Sequence, residues 1–210
     1  MESSWPDSGS PDPASLRVAA VVLAAGGSRR MGQDNKLLLE VGGTPLVRAS
    51  VQGALASKAR STIVVLGHEA DTVAGALDGL DCRHVINEDY TRGLSSSLRT
   101  GVGAAAGYDG VAILLADMPR VEPAILDTLF DVFVQRGARS VVVAAHRGRR
   151  GHPVIWPAAC FADLAALTGD RGGRLLFEKY ADRIVEVDVG SDSIFLDIDT
   201  HADLASANAS

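Results

Sequence analysis

Gly26, Gly27, Ser28, Arg29, Arg30 and Lys36 lie in one short stretch directly after the apolar run Val18–Leu23. Backbone N–H groups in a glycine-rich turn can close around a polyphosphate, and three cationic side chains can neutralise its charge. Glycine suits such a turn because a side chain would hold the backbone away from phosphate oxygens. The stretch therefore reads as a nucleotide-binding opening, and its details exclude two common kinds. Gly26, Gly27 and Gly32 lack the G-x-G-x-x-G spacing of the dinucleotide fingerprint. Gly27 to Gly32 fits G-x-x-x-x-G, but Gln33 and Asp34 stand where a P-loop requires Lys and Ser or Thr.

Asp117 is the second residue suited to chemistry. It follows the buried-type run Val111–Ala116, and Pro119 stiffens the exit. An isolated D-x-P reads as a turn or a helix cap. With a phosphate-type turn in the same chain, a metal-ligand role becomes the better reading of Asp117. Cys82 and Cys160 are far apart with no C-x-x-C pair, which points to two reduced thiols rather than a metal site.

These residues need elements to hold them. Strand-like runs occur at Val18–Leu23, Thr62–Leu66, Arg83–Ile86, Val111–Ala116, Ser140–Ala144, Pro153–Trp156 and Ile184–Val187. Between them, Thr44-Pro45 opens a helical segment Leu46–Leu55, Ser95 precedes Leu98–Ala106, and Glu122-Pro123 precedes Ala124–Gln135. Such alternation predicts an α/β fold: a single-domain three-layer sandwich around a mostly parallel sheet. Ligands then bind beyond the carboxyl ends of the strands, where the glycine turn and Asp117 should meet. After about Ala145 the pattern changes. Arg147 to Gly151 reads as a flexible basic turn, and the remainder as short strands with two short helices.

Composition narrows the partners. A chain of 210 residues with 47% apolar and 22% charged residues suits one globular domain with a real core. The formal net charge of −6 argues against a general nucleic-acid binder. No apolar run approaches a membrane span, and Met1 to Ser15 has neither the basic nor the apolar region of a signal peptide. The expectations are a cytoplasmic protein, a disordered tail over 1–16, and one domain over 17–210, with nucleotide bound by about 17–120 and acceptor by about 121–210.

The stretch L-A-A-G-G-S-R-R-M-G-x-x-N-K resembles the signature of the MobA-like NTP transferases, and within them most resembles the molybdenum cofactor cytidylyltransferases. The resemblance continues at Gly93 to Leu98, Asp117-Met118-Pro119, Gly151-His152-Pro153-Val154, Gly169 to Arg174 and Asp197-Ile198-Asp199-Thr200, in the family's order. It implies a Rossmann-like nucleotidyltransferase fold of the glycosyltransferase-A-like kind. The implied reaction is transfer of CMP from Mg·CTP to the terminal phosphate of molybdopterin, releasing pyrophosphate. Close alternatives are guanylyl transfer, another phosphorylated acceptor such as a sugar phosphate or phospholactate, or a non-catalytic cofactor carrier.

A phosphate nucleophile is already anionic, so such a reaction needs positioning and charge neutralisation rather than a general base. The resemblance places Lys36 and Arg29 on the triphosphate and Mg²⁺ on Asp117 and Asp199. Asp199 is equally suited to starting a helix. Leu23, Ala24, Ala25 and Gly26 are expected to supply backbone contacts to base and ribose, and Gly27 and Ser28 to bind the nucleotide with them. L-A-A-G at Ala25 is similar to the CTP-using relatives, where GTP-using ones carry L-A-G-G. Gly67, Asn87, Gly93 and Ser95 are expected to complete that pocket, with Ser95 equally able to cap the next helix. His152, Asp170, Arg171 and Arg174 resemble the acceptor side. An apo-molybdoenzyme or its chaperone is the implied protein partner.

Overall fold

The computed structural model describes residues 15–27, 35–170 and 172–209. The signature residues Ser28, Arg29 and Arg30, together with Arg171 and most of the expected tail, lie outside the described residues. Seven strands form one sheet: β1 (Val18–Ala24), β4 (Ser61–Leu66), β5 (Arg83–Ile86), β6 (Gly110–Leu115), β7 (Val141–His146), β8 (Arg149–Pro157) and β9 (Ile184–Asp188). Their order is β5-β4-β1-β6-β8-β7-β9. β8 runs antiparallel to both of its neighbours, and every other pairing is parallel. A small hairpin, β2 (Glu40–Val41) with β3 (Thr44–Pro45), stands apart from the sheet.

Strict alternation along β1 feeds two cores. Ala20, Val22 and Ala24 face one side, where Val47 and Val51 of α1 (Leu46–Leu55), Val73 of α2 (Ala70–Gly75) and Leu126, Leu129 and Phe133 of α4 (Pro123–Gln135) pack. Ala19, Val21 and Leu23 face the other, against Leu98 and Val102 of α3 (Leu94–Ala104) and Leu164 of α5 (Phe161–Ala166). A strand buried on both faces reads as a continuous apolar run, and β1 does. Gly101 lets α3 lie close to the sheet, since a Cβ there would stand 2.5 Å from Val21 Cγ1. Helices on both faces make the predicted three layers. Among the described residues no helix is long and apolar enough to cross a membrane.

Two local expectations need correction. The Arg147–Gly151 stretch is an ordered hairpin turn: Arg147 (φ 50°) and Gly148 (φ 73°) make the bend, and Arg149 and Arg150 already belong to β8. Arg150 pairs with Glu186 of β9 at 2.7 Å, and the Arg149 guanidinium lies 4.4 Å from the Phe195 ring centroid, so the basic residues are braced. Ser95 is not a cap. α3 starts at Leu94 with Gly93 at the capping position, and Ser95 is buried inside its first turn.

Candidate active site

β1 and β6 are hydrogen-bonded parallel neighbours, with Leu23 in register with Leu115. The segments leaving their carboxyl ends therefore emerge side by side, Ala25-Gly26-Gly27 from one and Asp117 from the other. Lys36 opens a 3₁₀ turn, Lys36–Leu38, and Asn35 fixes its start. Asn35 Oδ1 accepts the Leu37 N–H at 3.1 Å, while its amide donates to Glu69 Oε2 at 3.0 Å. With its backbone held, Lys36 reaches the rim. Its Nζ donates to Asp117 Oδ2 and to Asp199 Oδ1, each at 2.6 Å.

Asp199 is delivered by the returning C-terminal segment. The Ile198 N–H donates to the Asp117 carbonyl at 3.0 Å. Helix α6 (His201–Asn208) then begins with a capping box in which Thr200 Oγ1 accepts the Asp203 N–H and Asp203 Oδ2 accepts the Thr200 N–H. The two readings of Asp199 are thereby separated: Thr200 caps the helix, and the Asp199 carboxylate faces Lys36. Burial alone would lower the pKa of Lys36, and the two carboxylates outweigh it, so that pKa is raised above the ordinary lysine value.

Asp117 Oδ1 is buried and has no hydrogen-bond partner among the described residues. That oxygen and the Asp199 carboxylate gathered beside it are hard donors of the kind Mg²⁺ and Mn²⁺ take. No group of three or more His, Cys, Asp or Glu side chains suited to a metal occurs among the described residues. Two carboxylates with the remaining positions left to substrate phosphate is a usual Mg²⁺ arrangement, so the residues fit such an ion.

Two neighbouring cavities lie at this rim, and the cluster lines the first of them. One, of about 650 Å³, is lined by Ala25, Gly26, Gly27, Lys36, His68, Tyr90, Ser97, Asp117 and Asp199. The other, of about 390 Å³, is lined by Arg149, Arg150, His152, Trp156, Arg174, Phe177 and Phe195. Leu23, Leu94, Leu115, Asp170 and Asp197 line both. Asp170 stands at the partition, its Oδ1 accepting the Leu94 N–H at 3.2 Å while the Gly169 carbonyl accepts the Ser95 N–H at 3.0 Å. Gly93 (φ 99°) has no room for a Cβ, which would fall on the Asp170 carboxylate.

The expected residues divide by where they lie. Leu23, Ala25, Gly26, Gly27 and Lys36 line the larger cavity, with Gly93 at its partition edge. Ala24 points into the opposite core. Gly67 permits a close approach, since a Cβ there would stand 2.7 Å from Tyr90 Cβ and 2.8 Å from Ala25 Cβ. Asn87 is a support: buried, it donates to Ser96 Oγ (2.9 Å) and Ser97 Oγ (3.1 Å) and ties the loop after β5 to α3. His152 and Arg174 line the smaller cavity, and Asp170 joins the two. The His152 pKa is lowered to about 4, first by burial and then by the Arg174 guanidinium, and its Nδ1 has no partner among the described residues. Sequence reasoning missed Asn35, Tyr90, Arg149 and Arg150. The Asn directly before Lys36 in the signature was the one available signal for the first.

Two adjoining cavities that share Asp170 and Asp197, one of them lined by a Lys–Asp–Asp cluster, have room for two substrates. Residues 20–184 match the MobA-like NTP transferase domain. The chain belongs to that family. The chain is 28% identical to nicotine blue oxidoreductase of Paenarthrobacter nicotinovorans over 87% of this chain and 92% of that one. It is 33% identical to the purine catabolism protein PucB of Bacillus subtilis, over 75% and 79%. A probable molybdenum cofactor guanylyltransferase of Natronomonas pharaonis is 32% identical over 53% and 54%. The crystal structure of Rv0371c from Mycobacterium tuberculosis superposes with a TM-score of 0.82 at 31% identity, covering 93% of this chain and 98% of that one. A manganese complex of Rv0371c superposes with a TM-score of 0.77 at 29% identity, over 93% and 100%.

Proposed function

We propose that the chain transfers CMP from a metal-bound CTP to the terminal phosphate of a molybdopterin-type acceptor in the cytoplasm, releasing pyrophosphate. The observation that carries this reading is the Lys36–Asp117–Asp199 cluster in the wall of the glycine-lined cavity, which shares Asp170 and Asp197 with the smaller one. The glycine-lined cavity takes the nucleotide. Lys36 holds the departing phosphates, and the acceptor phosphate reaches the cluster from the Arg174 side. Asp117 and Asp199 would hold a divalent ion such as Mg²⁺, which when bound neutralises charge on the reacting phosphates. The acceptor phosphate is itself the nucleophile, which leaves His152 as a neutral hydrogen-bonding group rather than a base.

The base preference rests on Ala25. Ala25 is among the residues lining the nucleotide cavity, and its methyl, packed against Gly67, would hold that wall closer to a base than a glycine would. A relative named as a guanylyltransferase makes GTP the competing nucleotide. A relative named as an oxidoreductase shows that names do not carry a reaction across this fold. A lysine shared by two carboxylates beside a phosphate-type turn is what phosphate chemistry requires and electron transfer does not.

The test supplies CTP, GTP, ATP and UTP separately with Mg²⁺ and molybdate-loaded molybdopterin, reading pyrophosphate and the mass of the product. A cytosine dinucleotide supports the proposal. A guanine dinucleotide overturns the base, and no product with any nucleotide overturns the acceptor.

A further inference from the structure

We propose that Arg120 and Asn208 are positioning residues for the transfer: acting through α6, they hold the Asp199 carboxylate against Lys36 and Asp117. This rests on the reading above of that cluster as the transfer site, and it adds two residues from outside the cluster.

Helix α6 cannot hold itself. It spans eight residues and fully buries none of its side chains. A helix of that length is marginal in water without outside support. Its first turn is capped, and that turn also grips the site. Asp203 Oδ2 accepts the Asp199 N–H at 3.2 Å as well as the Thr200 N–H at 2.8 Å. The Asp199 backbone therefore turns with the helix. The direction of the helix is set at its other end, about 12 Å away at about 1.5 Å per residue.

Two side chains fasten it there. Asn208 Oδ1 accepts the Gly42 N–H at 2.9 Å and its amide donates to the Glu40 carbonyl at 3.1 Å, which ties α6 to the β2–β3 hairpin. Arg120 Nη2 donates to the Ala207 carbonyl at 2.7 Å. A cation suits the end of a helix, where the last carbonyls have no partner within the helix. The places these bonds reach are all linked to the site. The hairpin follows directly on the Lys36 turn, whose carbonyl at Lys36 accepts the Leu39 N–H at 3.1 Å. Arg120 lies three residues after Asp117. Each of the three site residues is thus followed by a segment, and the three segments are fastened together at the far end of α6. Ile198, bonded to the Asp117 carbonyl, holds Asp199 from one side, and the fastened helix holds it from the other.

The experiment reads residue-resolved amide hydrogen exchange of the whole chain, and pyrophosphate release from CTP with the molybdopterin acceptor. Asn208→Ala and Arg120→Met should each raise exchange at Ile198, Asp199 and Leu204 by about 2- to 10-fold, the scale of one lost hydrogen bond, with the amides of β1 and β6 unchanged. The double variant should raise it further and lower kcat at least about tenfold. Arg120→Lys, which keeps a cationic donor for the Ala207 carbonyl, should match wild type. Faster exchange spread evenly over β1, β6 and α6 would show a general loss of stability and overturn the proposal. So would a folded double variant with wild-type exchange at those three amides, or with faster exchange and wild-type kcat. If the double variant does not fold, exchange in the two single variants decides. Wild type that releases no pyrophosphate with any nucleotide overturns the transfer reading and the proposal with it, an outcome told apart from the others because it needs no variant.

Discussion

Asp117 and Asp199 hold one ammonium between them, each 2.6 Å from Lys36 Nζ, although one follows a central strand and the other lies near the end of the chain. The link between them is the hydrogen bond from the Ile198 N–H to the Asp117 carbonyl. A site closed in this way joins the first strand, the middle of the sheet and the C-terminal segment. It forms only when the whole fold does.

Asn35 should matter more than its place beside a loop suggests. Asn35→Ala removes the cap of the Lys36 turn and the bond to Glu69, and replacing such a cap costs about 0.5–2 kcal/mol. An unfolding free energy from urea titration lowered by that amount, together with a KM for nucleotide raised several-fold and an unchanged KM for acceptor, is the expected result.

Ala25→Gly is expected to leave folding intact and shift nucleotide preference toward GTP. The methyl it removes packs against Gly67, in a residue that lines the nucleotide cavity. Differences of about one methylene in a pocket are worth about 1–3 kcal/mol, so a 10- to 200-fold change in the CTP/GTP ratio of kcat/KM marks the upper range. An unchanged ratio would remove Ala25 from the account of base choice.

His152 gives stability a definite pH dependence. Its folded pKa of about 4 lies below the ordinary histidine value near 6.5. Above 6.5 neither state binds the proton, and the contribution is fully present. As pH falls below 6.5 the unfolded chain takes up a proton that the folded chain refuses, so stability is lost down to about pH 4. Unfolding free energies measured from pH 7 to 4.5 should fall more steeply for wild type than for His152→Gln. Equal slopes would place a protonated histidine in the folded protein.

Gly93→Ala should damage both cavities at once. The position has φ 99°, and a Cβ would collide with the Asp170 carboxylate that caps α3. Strain of this kind costs about 1–3 kcal/mol. A lower thermal midpoint with both KM values raised is expected. A change in only one KM would show that the partition does not serve both substrates.

How much the sequence reveals depends on how local the cause is. Val111–Leu115 is legible as a strand because burial on both faces leaves an unbroken apolar run. Lys36, Asp117 and Asp199 can each be singled out by type and position. Their meeting on one ammonium cannot, since it depends on β1 lying beside β6 and on the return of Ile198 to Asp117. Ser95 misleads because a serine near a helix start usually caps it. Here Gly93 takes the capping position and Asp170, far away in sequence, caps the amide. Arg149 and Arg150 look like a solvated basic turn until Phe177, Glu186 and Phe195 are brought against them by β9 and the segments before and after it.

The central claim is that this cluster performs nucleotidyl transfer, and Asp117→Asn tests it most directly. The substitution keeps the shape of the side chain and removes its charge, and CTP binding, pyrophosphate release and the thermal midpoint would be measured on the same preparation. Predicted is a folded protein that still binds CTP and releases pyrophosphate at least about 10²-fold more slowly, the scale of losing one group that stabilises transition-state charge. Wild-type release by a folded Asp117→Asn would contradict the account.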